Sequence, residues 1–285
     1  MLSDPSHSYL AVCIWFNQSC NCNSPKFIML DSSWTQAQEF IDAVCNELSQ
    51  LPPRPSYYPG SQQRHAAFAA AYPSARVLQP TSSSSAASST PPATPPGYLP
   101  WIVAELDEDS AAKQPHALQV EAFAPCVAFM RIKGNMLDDG VTFANQRLMG
   151  TLSCSVIIST ADSHSRSEEL EGALARLRYG LIGLNCWSAA GYMFPTATWG
   201  AFPGESLAAV SSGIGIVRNY LMFKHPSKTV VRAPFISEGH FGTSPTPMDL
   251  AQARTIVSLS TQLFFVTNAV PRAVKTAWNA LKSLF

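Results

Sequence analysis

The stretch FIMLDSSWTQAQEFIDAVCNEL, residues 27–48, decides the fold class. Its first four residues, Phe27-Ile28-Met29-Leu30, are an unbroken apolar run with the length and bulk of a buried strand. From Ser33 to Leu48 the pattern changes. Trp34, Ala37, Phe40, Ile41, Val44 and Leu48 recur at helical spacing and form one apolar stripe. Pro52, Pro53 and Pro55 stop that helix. A short buried strand feeding an amphipathic helix is the repeating unit of an α/β fold.

The same alternation continues downstream. Strands are expected near Trp101–Leu106 and Cys126–Ile132, a helix over Val141 to Met149, and a strand at Cys154–Ser159. A helix from Glu168 to Tyr179 then precedes a strand at Leu181–Asn185. The expected fold class is α/β, a largely parallel open sheet flanked by helices, with a helical C-terminal tail. The α/β body is expected over residues 1–235. It is interrupted at 81–96 by TSSSSAASSTPPATPP, which holds nothing larger than Thr or Pro and reads as a flexible surface insertion. The tail, 236–285, begins after Pro234. Thr246 is placed as an N-cap, with Pro247 and Asp249 in the first turn of a helix over Met248 to Asn268. Beyond Pro271, Val274, Trp278, Leu281 and Phe285 share one side beside Lys275 and Lys282. That side suits docking on the core or on a second subunit better than on a membrane surface.

Composition narrows the partners. Charged residues are 13% of the 285, against a usual ~25%. Nineteen cations balance nineteen anions, which argues against nucleic acid as the main partner. No apolar run reaches the ~18 residues of a spanning helix, so no membrane span is expected. The apolar run Tyr9 to Phe16 follows Asp4 and no Lys or Arg, a poor signal peptide. Seven cysteines, several in apolar runs such as Pro125-Cys126-Val127-Ala128-Phe129-Met130, read as reduced buried thiols. A reducing, cytoplasmic compartment is the default that follows.

Three sets of residues could carry chemistry. In Asn17-Gln18-Ser19-Cys20-Asn21-Cys22-Asn23-Ser24-Pro25-Lys26, two thiols lie among small polar residues near a cation. Lys26 or nearby backbone N–H groups would lower a thiol's pKa and make it a nucleophile. An ordinary pair of cysteines remains the alternative. A metal site is not expected, because Cys-x-Cys has no second ligand pair and the six His are unclustered and read as surface residues. In Glu121-Ala122-Phe123-Ala124-Pro125 a carboxylate suited to a ribose precedes a ring able to pack on a cofactor; taken alone it is a solvated Glu before a core Phe. Gly213-Ile214-Gly215 carries Arg218 where a dinucleotide fingerprint needs its third glycine, and Ser206 in Gly204-Glu205-Ser206-Leu207-Ala208 lacks the closing glycine of a nucleophile elbow.

Taken in order, these pieces resemble the catalytic-domain half of the aldehyde dehydrogenase superfamily over about residues 10 to 235. Asn17 to Lys26 is similar to that family's Gly-Gln-x-Cys stretch, with Ser19 and Cys20 in place of Gly-Gln and Cys22 as the nucleophile. Glu121-Ala-Phe123-Ala-Pro125 resembles its Glu-x-Phe-Gly-Pro. Phe143-Ala144-Asn145 through Gly150-Thr151-Leu152 resembles its Ala-Asn…Gly-Leu segment, and Gly183-Leu184-Asn185 a strand ending in Asn. Trp199-Gly200-Ala201-Phe202 with Ser212-Gly213-Ile214-Gly215 is similar to its aromatic-Gly-Gly…Ser-Gly-x-Gly element, with a longer spacing.

The resemblance implies a cysteine nucleophile that adds to a small aldehyde, hydride transfer to NAD or NADP, and hydrolysis of a thioester. It makes Cys22 the catalytic residue, and Glu121 and Phe123 the residues at the nicotinamide end of the cofactor. In the family, the nucleotide-binding domain, the oxyanion-hole amide and the general base lie N-terminal to the nucleophile. The expectation is therefore a catalytic-domain fragment with the nucleotide-binding half absent. Alternatively, the chain is a non-catalytic remnant that pairs with itself or with a full-length homologue. A hydrolase built on Ser206 is the third reading.

Overall fold

The structure, a computed structural model, describes residues 6–81 and 94–233. Most of the low-complexity tract, 82–93, and the whole expected tail, 236–285, lie outside the described residues. In chain order the elements are α1 (Ser6–Trp15), a 3-10 turn at Phe16–Ser19, β1 (Phe27–Asp31), α2 (Ala37–Gln50), α3 (Ser61–Ala71), β2 (Arg76–Leu78) and β3 (Trp101–Leu106). Then follow α4 (Glu108–Lys113), α5 (His116–Gln119), β4 (Cys126–Ile132), a π turn at Met136–Gly140, α6 (Val141–Arg147), β5 (Ser153–Val156), α7 (Thr160–Ser165), α8 (Ser167–Arg176) and β6 (Leu181–Leu184). After a 3-10 turn at Ser188–Met193 come the short strands β7 (Trp199–Gly200), β8 (Ile216–Val217) and β9 (Thr229–Arg232).

The parallel, helix-flanked arrangement expected from the sequence is present, with its strands distributed over two open sheets. The first has the order β1-β4-β3-β2, in which β1, β4 and β3 are parallel and β2 is an antiparallel edge. The second, β5-β6-β9, is parallel throughout. β7 and β8 form a separate antiparallel ribbon.

The pleat of β3 and β4 explains the layers. Trp101 and Val103 with Val127 and Phe129 face one side and pack under α1 and the α2 stripe of Ala37, Phe40, Ile41, Val44 and Leu48. Ile102, Ala104 and Leu106 with Cys126, Ala128, Met130 and Ile132 face the other side, against Phe68 and Tyr72 of α3 and Leu118 of α5. Strands covered on both faces read as near-continuous apolar runs, which is why both were expected at their observed bounds. The second sheet packs Ile182 and Leu184 against Leu170, Ala173 and Leu174 of α8.

Element ends are set by local polar groups. α2 begins at Ala37 rather than Ser33 because the Asp31 carboxylate accepts the Ser33 N–H (2.8 Å) and hydroxyl (2.7 Å), holding a turn there. β5 stops at Val156, short of Ser159, because the Ser159 hydroxyl caps α7 by accepting the Asp162 N–H at 3.0 Å. α8 ends at Arg176 rather than Tyr179, where the Lys228 ammonium donates to the carbonyls of Leu174 (3.0 Å), Ala175 (2.8 Å) and Leu177.

Asn185 ends β6 in the left-handed region, φ 56°, which Asn tolerates better than most residues. Its side-chain oxygen accepts the Ile158 N–H at 2.8 Å and so ties β6 to the loop after β5. No helix among the described residues is long and apolar enough to cross a membrane.

Candidate active site

Cys22 lies in the loop that joins the 3-10 turn to β1, at the seam between the two sheets. The neighbouring Asn23 makes the seam: its side-chain oxygen accepts the Ser153 hydroxyl of β5 (2.9 Å) and its carbonyl accepts the Trp187 indole N–H (2.6 Å). Phe16 packs edge-on against Trp187, ring centroids 5.3 Å apart. Of the seven free cysteines, Cys22 is the exposed one; Cys13, Cys20, Cys45 and Cys126 are buried, and Cys154 and Cys186 are partly so.

The backbone entering this loop is unusual. Asn17, Gln18 and Ser19 all have φ between 54° and 58°, three successive left-handed residues with no glycine among them. Each costs on the order of 1–2 kcal/mol relative to right-handed backbone. The bend is closed by the Cys20 N–H, which donates to the Asn17 carbonyl at 2.9 Å. It is also held by the Lys26 ammonium, which donates to the Ser19 carbonyl, the Ser19 hydroxyl (2.8 Å) and the Asn21 carbonyl (3.2 Å). Cys20 is turned inward, its sulfur 3.3 Å from the Ser61 hydroxyl and 3.4 Å from the Phe123 carbonyl.

Glu121 and Phe123 come to the same place on the loop that precedes β4. Phe123 is itself left-handed, φ 42°. Its carbonyl collects the Ser61 hydroxyl (3.0 Å) and the Arg64 guanidinium (3.3 Å), and Arg64 also donates to the Ala122 carbonyl at 2.9 Å. The Phe123 ring lies against Tyr58, centroids 4.6 Å apart, with the Lys26 nitrogen 5.3 Å over its face. Among the described residues, no group donates a hydrogen bond to the Glu121 carboxylate. The structure therefore brings Cys22, Glu121, Phe123 and Lys26 together. Ser61 and Arg64 of α3, and Tyr58 in the loop before it, carry no signal in the sequence.

The electrostatics correct one expectation. The Cys22 thiol is pushed up, not down: partial burial is the largest cause, its own backbone N–H opposes it, Glu121 adds to the rise and Lys26 opposes it. Lys26 and the backbone thus act in the expected direction but are outweighed. Glu121 is pushed up by the protein around it, against the pull of Lys26 and then Arg64. Burial pushes the Lys26 amine down to about 8, opposed by Glu121, Cys20, Cys22 and Cys126.

The other motif residues have structural places. Asn145 joins α6 to the end of α8, its amide donating to the Arg176 carbonyl (2.9 Å) and its oxygen accepting the Arg178 N–H (2.8 Å). Gly183 is packed so closely that a Cβ would sit 2.4 Å from the Cys186 carbonyl oxygen. Ser206 lies in an exposed turn paired with Ala209. The histidines are less uniformly superficial than expected: His65 is half-buried and its Nε2 lies 2.7 Å from the Pro100 carbonyl.

The fold is similar to part of the fold of solved aldehyde dehydrogenases. The chain is similar to the NADP-dependent glyceraldehyde-3-phosphate dehydrogenase from Bacillus halodurans, at TM-score 0.53 and 15% identity, covering 75% of this chain and 41% of that one. It is similar also to the P. syringae indole-3-acetaldehyde dehydrogenase, at 0.51 and 16%, covering 70% and 38%. The gamma-glutamyl-gamma-aminobutyraldehyde dehydrogenase from Burkholderia cenocepacia gives 0.51 and 17%, covering 70% and 38%. The chain thus spans about two-fifths of the length of these structures, and at these identities the likeness is one of fold. No family model and no curated protein matches it by sequence.

Proposed function

We propose that the chain is the catalytic portion of an aldehyde dehydrogenase-type oxidoreductase, with Cys22 as the nucleophile. The observation that carries this reading is the convergence of one exposed thiol, one open carboxylate and one aromatic ring on a single seam. The Cys22 thiolate would add to the aldehyde carbon, and the Cys22 backbone N–H would donate to the oxygen as it takes up negative charge. With a nicotinamide cofactor bound to accept the hydride, the thiohemiacetal on Cys22 would become a thioester, which water would hydrolyse to free the acid and restore the thiol.

NAD or NADP, when bound, supplies the hydride acceptor. The residues fit its nicotinamide end: the Glu121 carboxylate has free acceptor sites for a ribose diol, and Phe123 is locked in place by Tyr58 and Lys26. Burial raises the Cys22 thiol, and Lys26 and the thiol's own N–H oppose that rise.

The test is turnover. The chain is mixed with a short aldehyde and either nicotinamide cofactor, and reduced cofactor is followed by absorbance. Turnover above background supports the reading, and Cys22→Ala should abolish it; Glu121→Gln should raise the cofactor KM about tenfold or more, the cost of a lost charged hydrogen bond.

A second reading, a non-catalytic partner of a longer homologue, is favoured by the raised Cys22 thiol and by exposed apolar side chains such as Leu207 and Met222. It expects no turnover and co-purification with that homologue. Activity of the isolated chain would exclude it.

A further inference from the structure

Lys26 is the half-buried cation of the site, and the mechanism above gives it no chemical step. All three of its N–H donors are used on one short loop: the Ser19 carbonyl, the Ser19 hydroxyl and the Asn21 carbonyl. Those acceptors straddle Cys20 and lie at the end of the left-handed run, where the backbone has least intrinsic reason to stay. The groups facing Lys26 come from each neighbouring element. They are Cys20 and Cys22 on its own loop, Glu121 and the Phe123 ring on the loop before β4, and Cys126 on β4. Arg64 of α3 faces Glu121.

We propose that Lys26 is the positioning residue of this site: its ammonium ties Ser19 to Asn21 across the bend and so fixes the loop that presents the Cys22 thiol beside Glu121. The proposal rests on the assignment of Cys22 as nucleophile, but its mechanism needs no turnover. An ammonium supplies three donors and a positive charge; a neutral amine supplies two donors and no charge. Loss of the Lys26 proton therefore weakens the tie and removes the one described cation that favours the Cys22 thiolate, alongside the thiol's own N–H. Burial brings that loss to about pH 8. The two groups titrate as a coupled pair, so each proton lost by Lys26 makes the thiol harder to ionise.

The experiment is the rate of Cys22 alkylation by iodoacetamide in the full chain, read by peptide-resolved mass spectrometry from about pH 6 to about pH 10. A lone thiol gives a logarithmic rate that climbs with unit slope until its own pKa. The wild-type profile should break to a shallower slope near pH 8. Lys26→Arg keeps the charge and the donors; it should stay within about twofold of wild type at neutral pH and lose the break. Lys26→Met should also lose the break and shift the whole profile to higher pH, lowering the neutral-pH rate at least about threefold. A Lys26→Met profile superimposable on wild type overturns the proposal, as does a break retained in Lys26→Arg. If Lys26→Met does not fold, Lys26→Arg alone decides. A purely structural Lys26 would change thermal stability and leave the slope unchanged. Absence of dehydrogenase turnover together with the expected profiles would reject the enzyme reading and keep this one.

Discussion

The sheet β1-β4-β3-β2 and the segment from Trp187 to Lys228 solve the same problem by opposite means. The first buries the apolar residues of β3 and β4 on both faces: Val103 and Phe129 on one and Ala128 and Met130 on the other are at most 1% exposed. The second leaves Leu207 93% and Met222 84% exposed and has two-residue strands as its only regular β structure before β9. Its order comes from polar groups. The Glu205 carboxylate accepts the N–H groups of Ser211 (2.7 Å), Ser212 (3.0 Å) and Gly213 (3.1 Å), together with the Ser211 and Thr151 hydroxyls. Arg218 packs over the Tyr192 ring at 3.9 Å, and Lys228 caps α8. Hydrocarbon fixes one region and charge-assisted hydrogen bonds fix the other, so the two should fail under different insults.

The comparison breaks most sharply at the core. Phe129→Ala should cost about 3–5 kcal/mol in urea unfolding, through lost transfer energy and a cavity between α2 and the sheet. Leu207→Ala, at the other extreme of exposure, should stay within about 0.5 kcal/mol. Equal effects at the two positions would erase the distinction. Lys228→Met comes next, at about 1–2 kcal/mol, because it strips the cation from the C-terminal carbonyls of α8. Thermal unfolding followed by circular dichroism reads it.

Glu205→Gln is a smaller change in stability, about 1 kcal/mol, with a signature in pH. Its hydrogen bonds, the Ser211 hydroxyl first, hold the Glu205 carboxyl down to about 2. A depressed carboxylate contributes stability that is fully present above its unfolded value, about 4.3, and is lost as pH falls through the folded one. The stability difference between wild type and Glu205→Gln should therefore shrink between about pH 4 and about pH 2. A difference that stays constant across that window contradicts the assignment. Among the polar contacts, the smallest effect is expected at the exposed bidentate pair of Arg232 and Glu171, at 2.7 and 2.8 Å: Arg232→Ala should cost about 0.2–1 kcal/mol and less in high salt.

The same contrast governs what the sequence discloses. β3 and β4 are legible to the residue because a strand buried on both faces must be apolar throughout. The α2 stripe is legible because one face of it meets the sheet. α1 is not: SHSYLAVCIW gathers its polar residues at the start and runs apolar from Tyr9 on, with no stripe to separate helix from strand. β2 and β9 escape because they are three and four residues long and only partly buried.

At the site, Cys22, Glu121 and Phe123 are legible as residue types in a recognisable order. Their meeting is a tertiary fact, made by Ser61 and Arg64 of the distant helix α3. The sign of the Cys22 shift is illegible for the same reason. Sequence places Lys26 near the sulfur, but only packing sets how much burial and how much of Glu121 oppose it.

The central claim is that Cys22 is poised to attack a carbonyl. The direct measurement is its alkylation by iodoacetamide with increasing propionaldehyde and no cofactor, read on the Cys22 peptide beside N-acetylcysteine under the same conditions. The account expects aldehyde to protect Cys22 at concentrations at least about tenfold below those that protect the free thiol, a gain of about 1.4 kcal/mol from the site. Protection of Cys22 only at the concentrations that protect N-acetylcysteine would contradict it.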